Sequence, residues 1–573
     1  MAKTVAGCGA NRQAVVMEKK WWTLIVVCAA TFMLLLDITI VFVALPTIQS
    51  ELHASFSDLQ WVIDAYALTL ASVLLAAGSL ADRYGRRLIF TIGLVIFTLG
   101  SLLCGIAQSP TMLILSRSAQ GIGGAMLFAT SLALLAQNFH GKERGMAFGI
   151  WGAITGVAAG LGPVLGGLIV SGISWRGIFL VNLPVGVAAL VVTLWKMEES
   201  KTPHAGRPDW VGFVTLTAGL VSLVYGLIRA GEIAWSNGGV AICLVLAGLF
   251  FGLFVAQEHR AKHPLFDLSL FRIPTFSGGL LAAFSVNGSL YAMFLYLALY
   301  LQDDLGHSPL ATGVQLLLIS GTSIISSMFA GALHDRVPVR WLIGPGLLLT
   351  GAGLILMAGL SGGSSWTHLI LGFIVAGVGS GIVNPPLAST AVGVVAPEHS
   401  GMASGVNTTF REIGIATGTA IYGSIFASIL REKLGQALAG IPSLERHLHG
   451  VVTAVQQGDA ARAINSVPGS LRAPLVVAVH ASFASALDVL LVISGALALI
   501  GAFGSGLLIR RQDFVVTQRK TTPAPAVPLV SSDEHSGADE GADLSRSIHE
   551  SDVEDVAPPS VPEPLRKSFE MGE

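Results

Sequence analysis

Charge is scarce in this sequence: of 573 residues only 12% are Asp, Glu, Lys or Arg, against about 25% in soluble domains. A soluble chain of this size could not cover its surface with so few charges. The charge present is balanced, 33 basic against 35 acidic residues, which excludes a general nucleic-acid binder. Cysteine is scarce as well. Cys8 lies near the N-terminus, and Cys28, Cys104 and Cys243 fall in apolar segments as small packing residues. No Cys-x-x-Cys pair or Cys/His spacing suggests a metal. The phosphate loop of a nucleotide-driven pump is missing, and His140, His263, His307 and His334 are scattered through loops. Neither an enzyme nor a resident cofactor is expected.

Apolar residues and glycine are plentiful. Hydrophobic residues make up 53% of the chain, glycine counts 67 and the mean hydropathy is +0.71. Met1 to Lys20 runs into an apolar stretch from Trp21 to Pro46, too long for a signal-peptide core and without a small-residue cleavage site, so it reads as a first membrane helix. Further stretches follow, giving fourteen: 22–46, 60–80, 88–107, 110–137, 146–171, 177–195, 210–229, 238–257, 276–301, 312–333, 341–360, 367–394, 403–429 and 482–509. Helices are required because lipid offers the backbone no partners, so the fold class is an all-α polytopic membrane protein. Alternate connections, with the two ends of the chain, hold 24 Lys and Arg; the other set holds 7, five of them in the long connection 430–481. Long loops are exempt from the positive-inside rule, so both termini are expected in the cytoplasm. The tail 511–573 holds 13 acidic and 6 basic residues and several prolines, a composition expected to stay disordered.

The sequence repeats itself. Gly78, Leu80, Asp82, Arg83 and Arg87 match Gly331, Leu333, Asp335, Arg336 and Arg340 at a constant offset of 253. Gly121-Ile122-Gly123-Gly124 is echoed by Gly377-Val378-Gly379-Ser380. Duplicated halves are a mark of secondary transporters that rock around a midplane site. The organisation is then a leader 1–21, a six-helix half 22–195, two inserted helices within 196–275, a second half 276–510 and the tail 511–573.

Certain side chains ask for an explanation. In GSLADRYGRR, Gly78 would let helices approach and Gly85 would allow a tight turn; Asp82 can accept from Arg86 or a helix N-terminus, and Arg83, Arg86 and Arg87 face the cytoplasm. Helix five carries Gly152, Gly156, Gly160, Gly162, Gly166 and Gly167 around Pro163, a small-residue stripe for close packing with a permitted bend. Charges inside a membrane are functional by default: Asp37, Asp64, Arg117, Arg411 and Glu412. Burial and a nearby cation pull a carboxyl group's proton affinity in opposite directions, which makes Asp37 against Arg117 a candidate proton carrier. Asp64 lies near enough to the outer interface to snorkel, and Arg411 and Glu412 could neutralise each other. Tyr66, Phe128, Asn287, Tyr291, Met293, Asn384 and Phe410 are candidates to line a promiscuous cavity.

With these motifs in order, and with LDITIVFVALP (Leu36 to Pro46), RSAQGIGGA (Arg117 to Ala125), GAITGVAAGLGPVLGG (Gly152 to Gly167) and WRGIFLVNLP (Trp175 to Pro184), the chain resembles the major facilitator superfamily. The resemblance is to its fourteen-span drug:proton antiporter branch and covers about residues 20–510. It departs at Phe42, where the family usually has Asn. The resemblance implies the major facilitator fold, and that the Asp82 loop latches the halves on the cytoplasmic side in the outward-open state. The second copy (Asp335, Arg336, Arg340) should be weaker, since Pro338 replaces the turn glycine and Val339 an arginine. It also implies proton coupling through Asp37 and Arg117, and a pliable, leak-tight seam at helix five. The expected function is proton-coupled efflux of lipophilic, cationic drugs across a bacterial plasma membrane. The expected partners are the small-molecule cargo, protons and the lipid bilayer, with the protein a monomer and no nucleic acid. An accessory envelope protein is compatible with the sequence. Two other readings stand beside this one: an exporter of one endogenous lipid or metabolite, and a transport-inactive sensor acting through the acidic tail.

Overall fold

Each predicted apolar stretch is a helix in the computed structural model, which describes residues 2–139, 141–201, 209–233, 235–261, 264–265, 267–333, 336–395, 400–438 and 469–514. In chain order these are α1 (Ala2–Leu52), α2 (Phe56–Tyr84), α3 (Arg86–Gly105), α4 (Pro110–Asn138), α5 (Gly141–Gly172), α6 (Gly177–Lys196), α7 (Trp210–Ile233) and α8 (Gly238–Arg260). There follow α9 (Pro274–Asp304), α10 (Pro309–Leu333), α11 (Arg340–Leu356), α12 (Ile370–Val392), α13 (Ser400–Leu438) and α14 (Gly469–Leu508). Twelve are long and apolar enough to cross a membrane, and α5 makes a thirteenth as two arms bent by 44°. The bend falls between Ala158 and Gly160, one turn before Pro163, whose ring displaces the carbonyl four residues back. The remaining one, α11, is shorter. A count of fourteen spans is compatible with this set.

Three boundaries differ from the sequence reading. Helix α1 starts within the predicted leader, and α13 and α14 extend into the predicted outer loop 430–481, to Leu438 and from Gly469. Arg431, Glu432 and Lys433 lower the local hydropathy but are good helix formers, and Leu434 beside them is fully buried. Residues 439–468, Asp335 of the second loop copy, and the tail from 515 lie outside the described residues.

The repeat is visible as recurring contacts. A Cβ on Gly121 of α4 would overlap Thr69 and the Tyr66 carbonyl of α2, and one on Gly377 of α12 would overlap Thr322 and the Ile319 carbonyl of α10. Gly123 lies against Gly93 and Phe97 of α3 just as Gly379 lies against Gly346 and Thr350 of α11. Between the halves, Leu216, Leu220, Val224, Leu227 and Ile228 of α7 pack on Ala67 and Leu68 of α2 and on Ala416 and Ala420 of α13. The inserted α7 thus covers one seam between the halves, with α8 packed outside it.

The halves meet most tightly on the face opposite the chain ends. There Gln302 of α9 donates to the Val43 carbonyl at 2.9 Å and the Leu310 amide donates to Ser171 at 3.1 Å. Phe56 stacks on Phe426 at 5.4 Å and Phe42 lies 5.7 Å from Phe294. Towards the terminal face, α2 and α13 stay together as far as Ala76 and Ala403. Helices α5 and α10 do not: beyond the contact of Gly160 with Ile324, a Cβ at Gly156, Gly152, Gly149 or Gly331 would meet nothing within 4 Å.

Candidate functional site

Asp37 and Arg117 form a buried ion pair, the guanidinium 2% and the carboxylate 0% exposed. Asp37 Oδ1 also accepts from Asn182 at 3.0 Å and from Gln120 at 3.2 Å. Arg117 donates through Nε to the Val62 carbonyl at 3.1 Å and through Nη1 to Gln120 at 2.9 Å, and its guanidinium lies 4.3 Å from the Tyr66 ring centroid. Ser101 accepts from Gln120 at 2.8 Å and from Asn182 at 3.3 Å, while Cys104 donates to Gln120 at 3.2 Å. Five helices, α1, α2, α3, α4 and α6, thus meet at one charge. Cys104 is therefore more than the packing residue expected. A buried ion pair is tolerable when its remaining lone pairs and protons are satisfied, and here both carboxylate oxygens and the Nε and Nη1 protons have partners.

Asp64 has a different setting. It does not snorkel: it is fully buried, two turns inside α2, and neither carboxylate oxygen has a hydrogen-bond partner. It faces the other half, within electrostatic reach of Tyr296 on α9. One turn away, Gln60 donates to the Thr419 carbonyl of α13 at 3.0 Å, which also accepts from the Tyr296 hydroxyl at 2.6 Å. Both neighbours donate to that carbonyl, and neither donates to Asp64.

Arg411 and Glu412 lie within each other's electrostatic reach but make no direct ion pair among the described residues. Adjacent helical residues point about 100° apart, and Arg411 turns instead to Asn384, donating at 3.0 Å. Of the predicted cavity residues, Phe128, Tyr291, Asn384 and Phe410 are partly exposed. Met293 is wholly buried in the core where the halves meet. Tyr66 is buried under Arg117, and Asn287, also buried, donates to the Ala283 carbonyl at 2.8 Å. These three are enclosed by protein in the conformation described.

The terminal-face loop is ordered within its own half. Gly85 takes φ +126, left-handed backbone that other residues rarely adopt. Asp82 pairs with Arg86 at 2.9 Å, and Arg83 lies 5.5 Å from the Tyr84 ring. Glu199, absent from the sequence reading, accepts from the Arg87 and Leu88 amides at 3.0 Å and so caps α3. The close approach expected at Gly78 is not made, since nothing stands within 4 Å of a Cβ there. In the second copy, Arg336 follows α10 and Arg340 opens α11, stacked 5.3 Å over Trp341. Along α5, Gly162 and Gly166 press on Thr39 and Ile40 of α1, Gly167 on Pro309 and Leu310 of α10, and Gly313 on the Pro163 carbonyl. Gly152 and Gly156 are unpacked, because the seam is parted at that level.

A second cluster explains the WRG motif. Trp175 donates to Glu51 at 2.8 Å and Arg176 pairs with the same oxygen at 3.0 Å, fixing the C-terminal end of α1 to the turn before α6.

The family model described as Major Facilitator Superfamily matches residues 27–419. Multidrug resistance protein Stp of Mycobacterium tuberculosis is 37% identical over 416 residues, covering 72% of this chain and 76% of its own. The tetracenomycin C resistance and export protein of Streptomyces glaucescens is 33% identical over 491 residues, covering 84% and 90%. Among solved structures, a bacterial homolog of the human lysosomal transporter Spinster, in an inward-facing and occupied conformation, matches with TM-score 0.60 at 18% identity, covering 87% of this chain and 98% of that one.

Proposed function

Because the chain belongs to the major facilitator superfamily, we propose that it exports lipophilic toxic compounds in exchange for protons, across a bacterial plasma membrane, with its termini in the cytoplasm. The observation that carries this reading is the contrast between two buried acids, Asp37 held by donors and Asp64 enclosed with none. The names of relatives in multidrug, tetracenomycin and puromycin resistance support drug export. In the conformation described, the seam between α5 and α10 is parted towards the terminal face, where cargo would enter. Closing the opposite face encloses Asp64 without a donor, and an unpaired buried charge costs several kcal/mol. A proton taken up from outside before closure removes that cost, and return of the proton to the cytoplasm completes the exchange. At Asp37 a proton would release Arg117 from its counter-ion and loosen the joint of five helices. Of the three acids the sequence offers to a cationic cargo, Asp37 is saturated by donors and Asp64 lies in the closed contact, which leaves Glu412.

The test is transport by reconstituted protein under an imposed ΔpH. Asp37→Asn and Asp64→Asn are each expected to lose ΔpH-driven accumulation while keeping downhill exchange of cargo. Accumulation at the wild-type rate in Asp37→Asn would remove it as an essential carrier, and the same result in Asp64→Asn would remove the coupling of closure to protonation.

A further inference from the structure

Helix α13 carries two buried donors from which nothing in the described protein accepts. The side-chain nitrogen of Asn407 has no partner, and the residue is 5% exposed. One turn along, Arg411 gives Nη2 to Asn384 Oδ1 at 3.0 Å while its Nε is buried with no acceptor. Residues four apart share a helix face, so both donors look the same way. Tyr291 of α9 lies within electrostatic reach of Arg411, and Tyr291, Asn384 and Phe410 are partly exposed around it.

Arg411 is the cation of this corner, and Glu412 is an acid within its electrostatic reach. Asp37 and Arg117 compensate each other, and Asp64 is on the closed side. Glu412 is also within reach of Tyr66 in the first half; it makes no direct ion pair with Arg411 among the described residues and answers neither the Arg411 Nε nor the Asn407 donor. A guanidinium stays protonated in proteins and can only donate. Retained inside a membrane, it is expensive unless something answers it. Donor-only groups ask for an acceptor, and an anionic oxygen supplies the charge as well.

We infer that Arg411 and Asn407, with Asn384 positioning the guanidinium, form the polar end of the cargo site, and that this end receives an anionic oxygen group such as a carboxylate on a lipophilic body. The inference rests on the export reading above but on a separate part of the molecule, and it departs from the cationic cargo expected from sequence.

The test uses the full chain in nanodiscs and three probes on one body: 1-pyrenebutyric acid, its methyl ester and 1-pyrenebutylamine, followed by tryptophan-to-pyrene energy transfer. The acid should bind wild type about tenfold tighter than the ester, the effect of one charge-assisted hydrogen bond, and the amine more weakly than either. Arg411→Gln should abolish the preference for the acid and leave ester binding in place. Asn407→Asp, which supplies a counter-ion to Arg411 from within the helix, should do the same. The inference is overturned if the acid does not bind, if the amine binds as well as the acid, or if the acid preference survives both substitutions. Loss of all three probes together in both variants also overturns it, since that marks a structural role. ΔpH-driven transport of the ester or amine by wild type, without acid binding, would leave export standing and this inference fallen. Absence of ΔpH-driven transport for every probe would count against export itself.

Discussion

Gln120 uses its full hydrogen-bonding capacity at the charged centre: its oxygen accepts from Arg117 and Cys104, and its nitrogen donates to Asp37 and Ser101. Asn182 contributes only its nitrogen, to Asp37 and Ser101. Removing a group that satisfies a buried charge costs about 1–3 kcal/mol for each polar atom left unpaired. Gln120→Leu strands both Arg117 and Asp37 in part, whereas Asn182→Leu strands Asp37 alone. The expected order of unfolding temperature in detergent is therefore wild type, then Asn182→Leu, then Gln120→Leu, and the reverse order of the two variants would show that the network is not shared as drawn. Asp37 and Arg117 were legible in the sequence because a charge in an apolar helix has no bland reading. Gln120, Ser101 and Asn182 were not, since neutral polar residues are ordinary in membrane helices and only tertiary packing brings three helices to one carboxylate. A signal existed: Gln120 is one turn from Arg117, and Asn182 sits in the WRGIFLVNLP motif. Asp64 was visible as a charge, but its lack of any donor was not, because that depends on how Gln60 and Tyr296 spend theirs on the Thr419 carbonyl.

Helix α5 is two elements in one. Its outer arm is fixed by glycines pressed on α1 and α10, and its inner arm faces no neighbour at Gly152 and Gly156. The glycine stripe announced close packing, and sequence periodicity alone could not show that only one arm has it in this conformation. The same limit applies to α13 and α14, whose polar extensions carry helix propensity that a hydropathy count discards. If the inner arm closes on α10 during the cycle, a large side chain there should be harmless now and obstructive later. Gly156→Leu is expected to leave the unfolding temperature unchanged but to slow ΔpH-driven transport at least tenfold, about the effect of one overpacked contact of 1–3 kcal/mol. Gly162→Leu, by contrast, would collide with Thr39 and Ile40 at once and should reduce the yield of folded protein. Wild-type turnover in Gly156→Leu would mean that the inner arm never meets α10.

Among the described residues, the repeat-related halves are held together opposite the described chain ends, parted at one terminal-face seam and bridged at the other by α7. The bridge restrains α2 and α13, so the conformational change must fall chiefly on α5 and α10, where the Leu310 amide and Ser171 hydroxyl are 3.1 Å apart on the closed face. A disulfide between Ser171→Cys and Leu310→Cys, with Cys8 and Cys243 replaced by alanine, would hold that face shut. Oxidation should stop ΔpH-driven transport, and reduction should restore it, while each single cysteine variant remains active under both conditions. A cysteine at Gly156 should stay open to a water-soluble maleimide from the terminal face in the oxidised protein, because the seam cannot close there while the opposite face is locked. Continued transport by fully cross-linked protein would show that the α5–α10 contact is not a gate. Loss of maleimide reactivity on cross-linking would show instead that the two faces do not alternate about this seam.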